Sequence, residues 1–156
     1  MATNRQRAKP GDLLEVKSSR GLSYVQYVGK HPEYGDVILV LPGCFKGRPS
    51  DLTCLVDEAA GFLAFYSARA AVLQDLAEIV ASHNLPSEIE VPTKLRRAGA
   101  RGPGGEVRTW IIENEDHEIV REKLSDLEKQ LPIAAIWDHE LLTRRISEGW
   151  RPENQG

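Results

Sequence analysis

Short apolar runs, each closed by glycine, proline or small polar residues, pattern the first quarter of the chain. Leu13-Leu14-Glu15-Val16 follows Pro10-Gly11-Asp12, and Leu22-Ser23-Tyr24-Val25-Gln26-Tyr27-Val28 follows Ser18-Ser19-Arg20-Gly21. Their β-branched and aromatic content predicts the two strands of a hairpin. A turn over 29–35 leads to a third antiparallel strand over 36–41, apolar enough to be buried on both faces. Glycine and proline make 42–49 a loop, and 52–56 and 61–66 each predict a further strand. Over 67–83 the period is mixed. Ala68, Ala71, Val72, Leu76, Ile79 and Val80 suit a helix, which alanine and leucine favour, while 77–81 also suits the end of a strand.

The second half is more broken. Residues 84–92 are irregular, and 98–106, with four glycines and a proline, predict a flexible loop. A strand over 107–112, a turn over 113–116 and a partner strand over 117–121 follow. Ser125-Asp126-Leu127-Glu128 is a capping box for a helix of one or two turns ended by Pro132.

The stretch 131–152 is the most fully specified. Apolar 133–137 precedes Asp138, whose carboxylate suits a helix N-cap, and Glu140 adds charge where the helix dipole favours it. Trp137 with Leu141, and Leu142 with Ile146, build a buried stripe, leaving Glu140, Thr143, Arg144, Ser147 and Glu148 largely in water. Gly149 supplies a left-handed stop, Trp150 folds back toward Ile146, and Pro152 prevents a restart. The stretch reads as a clasp, with Trp110 as a further structural aromatic.

A chain of 156 residues reads as one globular domain over 10–152, with mobile polar ends at 1–9 and 153–156. The expected class is α+β: a predominantly antiparallel sheet, either bent or a small barrel, with two or three helices, one of them C-terminal and amphipathic. Hydrophobic content of 41% and charged content of 28% fit a soluble globular protein. No apolar run approaches the ~20 residues of a bilayer span. Nor does an apolar stretch follow the charges of the first seven residues, so a cytoplasmic protein without a secretory signal is expected. Cys44 and Cys54 are expected to be reduced thiols.

A net charge of −3 speaks against a general nucleic-acid binder, but the charges are unevenly placed. Glu113, Glu115, Asp116 and Glu118 cluster without a basic residue among them, just after Lys94, Arg96, Arg97, Arg101 and Arg108. Chemical motifs are missing. Thr143 stands where a helical H-E-x-x-H zinc site beginning at His139 needs its second histidine, and Arg121 does the same after His117. There is no G-x-S-x-G elbow, and the glycines of 99–105 lack a P-loop pattern. No catalytic residue, metal or cofactor is therefore expected. The acidic cluster has another use, as a carboxylate surface that meets a basic partner, extended by Asp138 and Glu140.

The opening Pro10-Gly11-Asp12-Leu13-Leu14-Glu15-Val16, the Trp110-Ile111-Ile112 strand, and Leu131 to Asp138 with Leu141-Leu142, Arg145-Ile146 and Gly149-Trp150 together resemble the twenty-sixth family of immunity proteins of bacterial polymorphic toxin systems. The resemblance implies a small cytoplasmic protein, rich in antiparallel strands, that binds and neutralises a cognate toxin by stoichiometric protein–protein inhibition. The toxin of such a contact-dependent system is often a basic nuclease. The alternative is a small β-barrel module that binds nucleic acid or regulates, using Lys94, Arg96, Arg97 and Arg101. Oligomeric state is left open.

Overall fold

Ser18 folds the first two apolar runs onto each other: its hydroxyl accepts from the Arg20 N–H at 3.1 Å and donates to the Gly21 carbonyl at 3.4 Å. Gly21 closes the turn at φ +131°, and a Cβ there would lie 2.5 Å from the Phe45 carbonyl oxygen, so no other residue fits without a shift. The computed structural model describes residues 7–58 and 61–155, leaving aside the side chains of 57 and 58. It is α+β with mostly antiparallel sheets, and its described residues group into two compact units, one within 7–91 and 136–150, the other within 92–135 and 151–155.

The first unit holds β1 (Asp12–Ser18), β2 (Gly21–His31), β3 (Gly35–Val40), α1 (Leu52–Glu58), β4 (Phe62–Tyr66), α2 (Ala68–Leu73), β5 (Ala77–Ser82), then β9 (Ile136–Trp137) and α3 (His139–Ser147). Its sheet is open, not closed into a barrel, in the order β5-β1-β2-β3-β4-β9, with β4 and β9 as the parallel pair. The first three strands are antiparallel neighbours as expected, and residues 37–41 are buried throughout. One sheet face carries Leu14, Val16, Val25, Tyr27, Ile38 and Val40, packed with Ala68 and Ala71 of α2 and Trp137, Leu142 and Ile146 of the clasp. On the other face, Glu15 is buried but fully used. It accepts from the Tyr24 hydroxyl at 2.8 Å and from Arg48 at 2.7 and 3.2 Å, and the Arg48 hydrogen bond is the main reason its pKa lies below the ordinary value, against burial.

Two expectations fail here. Residues 52–56 are not a strand but lie in α1, because the Asp51 carboxylate accepts from the backbone N–H groups of Thr53 and Cys54 at 3.0 and 3.4 Å and so starts a helix. Nor is 67–83 one helix. Asp75 at φ +61° turns the chain after α2, and 77–82 leave as β5, whose pairing along the open edge of β1 outweighs alanine's helical preference. Of the N-terminal residues expected to be mobile, 1–6 lie outside the described ones. Ala8 is buried, and its carbonyl accepts from Arg69 at 3.0 and 3.2 Å.

The second unit holds β6 (Leu95–Ala98), β7 (Trp110–Glu113) and β8 (Glu118–Arg121), an antiparallel sheet around Trp110, Ile112 and Leu124. β6 was not anticipated. The Ser125–Glu128 capping box forms reciprocally at 3.0 and 3.2 Å, but the helix it starts is a single 3₁₀ turn, Glu128–Gln130. Arg96 is the largest fully buried side chain and lies with its Cζ 4.6 Å from the Trp110 ring centre. It donates to the carbonyls of Lys129 at 3.0 Å, Leu131 at 3.3 Å, Gln155 at 2.5 Å and Pro152. Burial pulls its pKa down to about 10, which still leaves it charged at neutral pH.

Candidate functional site

The β7–β8 hairpin carries the expected acidic cluster, and its register brings Glu113 directly opposite Glu118. Like charges in that relation destabilise a hairpin. Arg97, on the neighbouring β6, resolves the conflict: its Nε donates to Glu113 at 2.5 Å and another guanidinium nitrogen donates to Glu118 at 2.8 Å. Both hydrogen bonds push the Arg97 pKa up. Basic and acidic clusters that look separate in sequence are thus partly spent on each other. Glu115 and Asp116, at the turn, are exposed with no ion pair among the described residues, so the cluster of four leaves two carboxylates facing water.

The basic residues divide in the same way. Arg96 is buried, Arg97 is paired, and Arg108 lies 3.8 Å from Glu106, leaving Lys94 and Arg101 on the surface. This removes two of the four side chains that the nucleic-acid alternative needs.

Asp138 and Glu140 belong to the first unit, at the start of α3. Asp138 is the N-cap, accepting from the Leu141 N–H at 2.7 Å. Glu140 pairs with Arg20 at 2.8 Å, and that hydrogen bond holds its carboxyl below the ordinary range. The clasp forms as its residues dictate: Gly149 sits at φ +69°, its N–H bonds the Ile146 carbonyl at 3.1 Å, and the Trp150 N–H bonds the Arg145 carbonyl at 2.9 Å. Trp137, Leu142 and Ile146 are buried in the main core, Leu141 and Trp150 pack against it, and Trp110 lies in the core of the second unit. Thr143 turns inward, against expectation, because its hydroxyl bonds back to the carbonyl of His139 at 2.9 Å and needs no water.

Beside the clasp, Tyr66, Ala70, Ala71, Leu76, Trp137 and His139 line a cavity of about 280 Å³. The Lys17 carbonyl can only accept, so His139 donates to it from Nε2 at 2.6 Å and receives the Tyr66 hydroxyl on Nδ1 at 2.9 Å. Both ring nitrogens are occupied by partners within the fold, which suits positioning rather than base catalysis. Burial pushes the Tyr66 pKa up to about 12. Sequence reasoning missed this pair, as it missed the pairing of Arg20 with Glu140 and of Arg97 with Glu113 and Glu118, because each partner is remote in sequence.

Among the described residues no cluster of His, Cys, Asp or Glu has a metal-binding arrangement, and no helix is long and apolar enough to cross a membrane. No family model, curated protein or solved structure matches the chain.

Proposed function

We propose that this protein is an immunity protein that neutralises a toxin by stoichiometric binding in the cytoplasm of the cell it protects, with the β7–β8 turn in the contact surface. The observation that carries the proposal is the arrangement of that turn: Glu115 and Asp116 stand exposed, with no ion pair among the described residues, on a hairpin whose base is braced by the bridges from Arg97. A braced carboxylate pair loses little conformational freedom on docking and attracts a basic partner over distance. An interface of about 800 Å² per partner fits on a chain of this size. The resemblance of the opening strand and the clasp to an immunity family points the same way. Glu113 and Glu118, on the same hairpin, contribute chiefly by shaping that surface, since Arg97 already holds both, and Asp138 and Glu140 are engaged within the first unit.

The test is co-expression with the C-terminal domain of a large secreted protein encoded beside this gene. A one-to-one complex and restored growth are expected. In that complex, Glu115→Lys with Asp116→Lys should slow association about tenfold at low salt, and the difference should shrink as salt rises. Absence of both complex and rescue overturns the proposal; a complex indifferent to the double reversal removes the turn from the surface.

A further inference from the structure

Helix α3 carries a cation whose side chain makes no hydrogen bond to an acceptor among the described residues. Arg145 sits in the corner between two nearly perpendicular indoles, its Cζ 4.6 Å from the Trp137 ring centre and 4.4 Å from that of Trp150. The rings lie 5.1 Å apart at 80°, and Phe62 backs both at 6.0 and 5.4 Å. The Schellman turn through Gly149 places Trp150 there, so the corner is part of the folded frame. Arg20, Arg48, Arg69, Arg96, Arg97 and Arg121 all donate side-chain hydrogen bonds to protein acceptors. The guanidinium of Arg145 has no such acceptor among the described residues. It is half-buried, and desolvation pulls its pKa down, with the neighbouring Arg144 adding to the effect and Glu148, one turn on, opposing it.

We infer that the Trp137–Arg145–Trp150 corner is a binding site for a single carboxylate presented by another polypeptide. Aromatic faces hold the guanidinium by cation–π attraction and fix its plane, while its edge keeps a fork of N–H donors that matches a carboxylate two bonds at a time. Trp150, which is only partly buried, also offers apolar contact to the stem of the residue that carries the carboxylate, while Trp137 backs the guanidinium from the core. One guanidinium suits a monoanion, and Arg144 reinforces the positive field, whereas a phosphate dianion would stay half uncompensated. The site does not depend on the proposed toxin binding, which is placed on other residues.

The test uses the full-length protein and two blocked probes, N-acetyl-glutamate methylamide for a side-chain carboxylate and N-acetyl-alanyl-alanine for a chain terminus. Each is titrated while the Arg145 Nε–H resonance and tryptophan fluorescence are followed, with sodium chloride matched in ionic strength. A saturable change with at least one probe is expected, and the probe that saturates first names the source. Arg145→Lys, which keeps a cation at the rings but loses the fork, should weaken the response at least fivefold while circular dichroism shows the fold retained. Trp150→Leu, which removes one wall, should weaken it also. The inference is overturned if neither probe exceeds the chloride control, if Arg145→Lys responds like the parent, or if inorganic phosphate saturates the site at lower concentration than either carboxylate.

Discussion

Replacing Arg96 by Met keeps an unbranched stem in the core of the second unit and removes only the guanidinium. The carbonyls of Lys129, Leu131 and Gln155 lose their donor at once, while that of Pro152, which Arg96 also reaches, keeps the Gln155 N–H at 3.1 Å. At the low end of the cost of stranding a buried polar group, ~1 kcal/mol each, the three stranded carbonyls amount to ~3 kcal/mol. Loss of the desolvated contact with Trp110 adds ~2 kcal/mol. Against this, the variant no longer keeps a charge out of water, a relief of ~3 kcal/mol. The net is a destabilisation of ~2 kcal/mol, a large share of the ~5–15 kcal/mol that holds a typical domain together. Amide hydrogen exchange read by mass spectrometry measures it locally: protection over β6 and β7 should fall about 30-fold. Arg96→Lys should fall nearly as far, because one ammonium cannot reach four carbonyls spread over two chain segments. A change of twofold or less in Arg96→Met would refute the reasoning, showing that the carbonyls find other donors and that the buried cation is replaceable.

The remaining predictions concern the first unit. Glu15 has a folded pKa below its ordinary 4.5, so its bonds to Arg48 and Tyr24 contribute fully above that value and are lost as pH falls through the lower one. Urea midpoints should therefore drop more steeply below pH 4.5 for the parent than for Glu15→Gln; parallel curves would mean that the pair is not coupled to folding. Asp138→Ala leaves the Leu141 N–H without its acceptor and should cost ~1 kcal/mol by chemical denaturation. Gly149→Ala puts a Cβ on a φ of +69° with open space around it, so the cost, again ~1 kcal/mol, should come from backbone strain alone, and Gly149→Asn should recover part of it.

What the sequence determined by itself is what short-range chemistry decides. Asp138 caps α3, Gly149 ends it, Ser125 and Glu128 cap each other, and the turn at Ser18 pairs β1 with β2, because each device lies within a few residues and its partner is a backbone group nearby. The helix at 52–58 was legible too, in the Asp51 cap, but the apolar run over 52–56 masked it. The tertiary structure decided where a segment had two acceptable conformations or a charge two uses. Residues 77–82 became a strand because β1 offered an unpaired edge, which no local propensity records. Arg96 and Arg97 look equivalent in the chain, yet adjacent strand residues point to opposite faces, so one is buried against Trp110 while the other bridges Glu113 and Glu118. The surface charge that remains at Glu115 and Asp116 is therefore a remainder left by long-range pairing. That pairing depends on the register of β6, β7 and β8, which forms only when the chain has folded.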